Sequence, residues 1–217
     1  MASIEIHIAA QHPAVAKMQQ RLLDATQRTA NKIAELLPLK KMDIVLAHNP
    51  KECIEFTGFG GYSPDPHTVF VYFDANSPHF ENSAETTLSR TLAHEMHHAS
   101  RSIKHPWIEP SLLESFIAEG LADHFDIELN GAQPYPWSQA LDEKTILQYI
   151  QQAQKADWLK PGGKYWEWNF SSSYPKWTGY SIGFYLVQKY KEASGKNAAE
   201  LVHEDAQMFI HNFNLKP

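Results

Sequence analysis

One five-residue stretch, His94-Glu95-Met96-His97-His98, constrains this chain more than any other, because it sets H-E-x-x-H inside a segment of helical periodicity. Residues four apart stand one above the other on the same face of a helix. His94 and His98 therefore aim their imidazoles at a common point. Glu95, about 100° further round, reaches a water held at that point without being a ligand. Two ligands and a general base on one turn are the arrangement of a zinc hydrolase. The chain must then build a stiff helix here and leave one of its faces open. Its pattern agrees: Leu88, Leu92, Met96, Ala99 and Ile103 recur at spacings of four, four, three and four, a core-facing stripe on a helix expected from Ser83 to about Lys104. Asn82 or Ser83 suits the cap, Glu81 and Glu85 suit the positive end, and Pro106 limits the far end. The alternative is a surface helix rich in histidine, which His97 keeps open.

A catalytic zinc takes three protein ligands and leaves one position for water. Cysteine does not supply the third in practice, since Cys53 is the single cysteine and the sequence gives it no nearby partner. The next apolar segment predicts a second helix from about Pro110 to Leu129, stopped by Gly131, with Leu113, Phe116, Ile117, Leu121 and His124 as its core stripe. Glu119 and Asp123 lie four apart on another face. One carboxylate can bind the metal while the other receives the outer N–H of a ligand histidine and fixes its tautomer. Glu114 is a rival by residue type, but five positions from Glu119 it faces elsewhere.

H-E-x-x-H followed about twenty residues later by Glu-Gly-Leu-Ala-Asp resembles the gluzincin metallopeptidases, which include the thermolysin-like proteases and the M1-type aminopeptidases. The resemblance implies that Glu119 is the third zinc ligand and Asp123 the partner of the first zinc histidine. His-Glu-Met-His-His, Glu-Gly-Leu-Ala-Asp and Trp-Thr-Gly-Tyr-Ser-Ile-Gly-Phe together are more closely similar to a bacterial family of unknown function described as predicted zinc-dependent proteases, from about Gly58 to Tyr190. Gly179-Tyr-Ser-Ile-Gly183 at a helix start is similar to the segment carrying the transition-state tyrosine of M1-type peptidases. That implies an oxyanion role for Tyr180, set against a ring that merely packs in the core. Tyr174 and Tyr185 are weaker candidates. His203 and His211 could play the part of the proton-handling histidine of thermolysin-like enzymes, although no local motif marks them and plain core or surface placement is the simpler expectation.

The remaining segments frame this site. Ile4–Ile8, Asp43–Ala47, Ile54–Gly58 and Thr68–Phe73 read as strands of a mixed sheet, with a long helix from about His12 to Leu37 between the first two. Ser63-Pro-Asp-Pro66 reads as the turn before the last strand. Gly58-Phe-Gly-Gly61 is not followed by Gly-Lys-Ser/Thr, so it reads as a hairpin kink and not a phosphate loop. By analogy with gluzincins, Val69–Phe73 would pair with substrate backbone by β-augmentation. Helices are expected from about Gln139 to Leu159, Tyr180 to Ala193 and Ala198 to Phe213, the last opened by an Asn197/Glu200 capping box. Residues 161–178, rich in Gly, Ser and aromatics, read as a loop for apolar substrate side chains or a plain packing loop.

The chain of 217 residues, 43% hydrophobic, can bury one substantial core. We expect an α+β, zincin-like catalytic domain over 1–217, with an N-terminal α/β lobe to about 105 and a helical C-terminal lobe from about 106. A net charge of −6 without a basic patch argues against nucleic acid. No apolar run reaches membrane-spanning length, no signal peptide pattern opens the chain, and one cysteine suits a reducing cytoplasm. The expected activity is a zinc-dependent metallopeptidase acting on peptide or protein. His94, His98 and Glu119 would hold Zn2+ and bring the pKa of its water to about 7, Glu95 would be the general base, and Tyr180 would assist the oxyanion. Two other readings stay open: a non-catalytic binding or regulatory protein with a structural zinc, and a zinc hydrolase of a non-peptide amide or ester. Cobalt, nickel or manganese also suit such ligands. An aminopeptidase would need a carboxylate such as Glu55 for the free N-terminus. Substrate length and oligomeric state are not encoded legibly.

Overall fold

A computed structural model describes residues 2–78 and 80–213. The fold is α+β and consists of two compact units, Met1–Ile103 and Lys104–Pro217. The first contains β1 (Ser3–Ile8), α1 (Pro13–Leu36), β2 (Lys41–His48), β3 (Phe59–Asp65), β4 (Thr68–Phe73) and α2 (Phe80–Ser102). Its sheet runs β1-β2-β4-β3. The β1-β2 and β2-β4 pairs are parallel, and β3 is antiparallel to β4. Met42, Ile44, Leu46, Val69, Val71 and Phe73 alternate along β2 and β4 and are buried on one face, as a period of two requires when one face meets the core. α1 answers with Val15, Met18, Leu22, Ala25, Ala30 and Ile33, also buried, and His12 caps it by accepting from the Ala14 amide at 3.3 Å. α2 lies along α1 and against β3 and β4.

Three expectations change here. The strand placed over Ile54–Gly58 is a turn with one bridge, Ile54 to Phe59. β3 begins at Phe59 and takes in Gly60, Gly61 and Pro64, with a register shift between Tyr62 and Asp65 that absorbs the proline. β4 is paired on both sides, by β2 and β3, so Val69–Phe73 has no edge to offer a peptide; β1 and β3 are the edges. Helix α2 starts at Phe80, one turn before Ser83, and Ile103 is exposed beyond its end.

The second unit is helical: α3 (Leu112–Asn130), α4 (Glu143–Lys155), α5 (Tyr165–Phe170), α6 (Thr178–Ser194) and a 3-10 helix, Ala206–Phe213. α3 is buried nearly all round and packs on α6, α5 and the 3-10 helix. Ser111 caps it by accepting from the Glu114 amide at 3.1 Å, and Gly131 ends it at φ 60°. Pro110 therefore lies before the cap and not in the first turn. Leu113, Phe116, Ile117, Leu121 and His124 are all buried, as their spacing predicts. α5 interrupts the expected 161–178 loop, because the span between Pro161 and Pro175 is long enough for a short helix. The Asn197/Glu200 box forms reciprocally at 2.9 Å in each direction, yet it opens only turns before the 3-10 helix, not an α-helix over 198–213. Among the described residues no helix is long and apolar enough to cross a membrane.

Candidate metal centre

His94 and His98 stand in the buried second half of α2. Their Nε2 atoms are 3.0 Å apart, and their rings meet edge to face with centroids 4.6 Å apart. Two nitrogens bound tetrahedrally to zinc at 2.0–2.1 Å would stand about 3.3 Å apart, so the pair is set close to the spacing that an ion requires. His97 is fully buried, which removes the reading of a surface histidine patch. Glu95 is also buried and sits beneath β3: a Cβ built on Gly61 would fall 2.6 Å from Glu95 Oε1. Cys53 stays apart from this chemistry. It donates to the Asn49 carbonyl at 3.3 Å, and burial, then the charges of Asp74 and Glu52, push its thiol up to about 11.

In the second unit, Glu119 lies on α3 and lines a cavity of about 440 Å³ with Trp107, Pro110, Gly163, Tyr165 and Trp166. Part of the aromatic 161–178 segment therefore does border a candidate ligand. Asp123, one turn on, is buried, and its carboxylate accepts from Trp137 Nε1 at 3.1 and 3.2 Å and from Ser138 Oγ at 2.6 Å. Those bonds orient both carboxylate oxygens. Tyr180 opens α6, where its amide donates to Asn169 Oδ1 at 3.1 Å, and its ring meets Tyr165 edge-on at 5.9 Å and Trp137 at 6.3 Å. Burial, then the charge of Glu119 and the neighbouring Tyr180 and Asp123, push the Tyr165 phenol well above its ordinary value, so it stays protonated.

The α3–α6 crossing places Glu119 and Tyr180. A Cβ on Gly120 would fall 2.3 Å from the Gly183 carbonyl oxygen, and one on Gly183 would fall 1.9 Å from that of Phe116. The glycines of Glu-Gly-Leu-Ala-Asp and Gly-Tyr-Ser-Ile-Gly are thus the two sides of one close backbone contact between α3 and α6. Trp137 and Ser138 carry no sequence signal, because no local spacing marks them, whereas Tyr165 falls in the aromatic-rich 161–178 segment expected to line a cleft or to pack. The weaker tyrosines are used in packing: Tyr185 donates to Glu143 Oε1 at 2.7 Å and Tyr174 stacks on Trp168 at 4.2 Å. His211 is exposed, and the His203 carbonyl accepts from His105 Nε2 at 3.3 Å. Glu55 lies exposed in the turn before β3.

The first unit thus offers two imidazole nitrogens, from His94 and His98, on an H-E-x-x-H helix, and the second offers a carboxylate, from Glu119, on α3. An α+β chain with such an H-E-x-x-H helix falls in the class of candidate zinc proteins. The sequence comparison agrees: residues 16–211 match the family described as "Predicted Zn-dependent protease (DUF2268)", and the chain belongs to that family. It is also similar to the uncharacterized protein YjaZ of Bacillus subtilis (strain 168), 30% identical over 136 residues, which is 57% of this chain and 50% of that protein. The match therefore spans half the length of that relative.

Proposed function

We propose that this chain is a zinc metallopeptidase in which His94, His98 and Glu119 hold the metal and Glu95 is the general base. The observation that carries the reading is the convergence of the two Nε2 atoms at 3.0 Å with Glu95 buried beside them. The donor set fits zinc: two imidazoles and a carboxylate leave a fourth position, as in the His₂Glu catalytic centres. When bound, the ion supplies Lewis-acid chemistry, activating water and polarising a carbonyl. Glu95 takes the proton from the attacking water and returns it to the leaving amine. Tyr180 donates to the developing oxyanion. Asp123, its two oxygens oriented by Trp137 and Ser138, holds a ligand imidazole in the tautomer that leaves its other nitrogen for the metal.

Peptide or protein is the substrate class that the family description favours, and the aromatic cavity beside Glu119 suits an apolar side chain. The two units act in this reading as one catalytic domain. A purely structural zinc would have no use for a base at Glu95, which sets the peptidase ahead of a zinc-containing binding protein. The cytoplasm is the favoured compartment, because the one cysteine forms no disulfide. The test is Glu95→Gln. We expect full zinc content and peptide cleavage lowered by about 10²–10⁴-fold; cleavage at the wild-type rate would remove the base assignment.

A further inference from the structure

The Gly58-Phe-Gly-Gly61 segment leads into β3. Its glycines serve different ends. A Cβ on Gly60 would meet the Glu52 carbonyl oxygen at 1.9 Å, a backbone contact that seats β3 on the preceding turn. For a Cβ on Gly61 the three nearest atoms all belong instead to Glu95: Cγ at 2.4 Å, Oε1 at 2.6 Å and Cδ at 2.7 Å. The strand is held where it is by pairing with β4 at Phe59–Phe73, Gly60–Tyr72, Gly61–Val71 and Tyr62–Phe70. The Glu95 carboxyl group is the far end of a side chain with three rotatable bonds, whereas the atoms that Gly60 would meet are backbone. Any side chain added at Gly61 therefore moves Glu95 before it moves β3.

We propose that Gly61 is the positioning residue for the general base: the bare backbone of β3 is the surface against which the Glu95 carboxylate rests, and the missing side chain sets where that carboxylate stands. This rests on the peptidase reading above. Gly61 touches neither metal nor substrate in the argument; it acts through Glu95. A misplacement of about 1 Å at a reacting group costs on the order of 10²-fold in rate.

The experiment is Gly61→Ala in the full zinc-loaded chain, beside Glu95→Gln, with a crystal structure of Gly61→Ala. We expect unchanged zinc content, kcat down by about 10²-fold with KM within about threefold, a shifted acid limb of the kcat/KM profile, and a displaced Glu95 carboxylate in the crystal structure. A Gly61→Ala protein with wild-type kcat and the carboxylate in its original place overturns the proposal. Glu95→Gln with wild-type activity removes the base assignment instead, so the two failures are distinct, and the crystal structure decides the positioning claim even if no peptide is cleaved. Should Gly61→Ala fail to fold, Glu95→Ala/Gly61→Ala decides. Melting at the temperature of Glu95→Ala alone shows that the collision was with Glu95; failure to fold in that background places it in the strand and overturns the proposal.

Discussion

Gly61 in the first unit and Gly183 in the second both stand where a methyl group would collide, but with different partners. At Gly61 the obstacle is the end of the Glu95 side chain, and at Gly183 it is the Phe116 carbonyl, part of the backbone of α3. A side chain can turn aside at little cost in stability. A helix backbone can only be pushed away, and a close-packed interior resists that. In the proposal one glycine guards the position of the general base, and the other sets the distance between two helices. On that reading the same residue type serves function in one unit and packing in the other.

The sharpest way to break this contrast is Gly183→Ala. We expect it to destabilise the second unit by at least about 3 kcal/mol, the upper end of overpacking costs, read by denaturant or thermal unfolding. Gly61→Ala should leave stability nearly unchanged. Equal losses for the two would abolish the distinction.

A smaller effect tests the same crossing through His124. Its ring stacks on Phe184 at 4.1 Å, its Nε2 donates to the Phe184 carbonyl at 3.1 Å, and its Nδ1 accepts from Lys191 Nζ at 3.1 Å. Lys191 in turn pairs with Glu128. Burial, then the Lys191 charge, lowers His124 to about 4, against the pull of its bond to Phe184 and the charges of Asp123 and Glu192. The folded value lies below the unfolded one of about 6.5, so the unfolded chain binds the extra proton. His124 therefore stabilises fully above pH 6.5, and the contribution is lost as pH falls toward 4, by about 2 kcal/mol at pH 5. His124→Gln keeps a donor and an acceptor but does not titrate, and should flatten the stability curve between pH 7 and 5. An unchanged slope would remove His124 as its source.

What the sequence made legible was what neighbours in the chain decide. The H-E-x-x-H turn needs only helical geometry, and α1, β4 and α3 follow from periodicity, with Gly131 as the stop of α3; the His12 and Ser111 caps emerge only in the structure. β3 was displaced in the reading because a strand holding Gly60, Gly61 and Pro64 has little strand propensity of its own. Pairing with β4 makes it a strand. α5 is too short to carry a periodic signal between two prolines. The capping box at Asn197 and Glu200 formed, yet capping alone does not propagate a helix without an apolar face to bury. The site divides in the same way. His94, Glu95 and His98 share one turn, whereas the groups that orient Asp123 come from 14 and 15 residues further on, in a loop with no motif.

The central claim is that two imidazoles and the Glu119 carboxylate share one zinc ion. X-ray absorption at the zinc edge, with metal analysis of wild type and Glu119→Ala, tests it most directly. The account predicts one zinc per chain, with two imidazole nitrogens at about 2.0–2.1 Å and oxygen ligands at about 2.0–2.2 Å, and zinc affinity that collapses in Glu119→Ala. Zinc held with the same ligand shell and the same affinity after that substitution would contradict it.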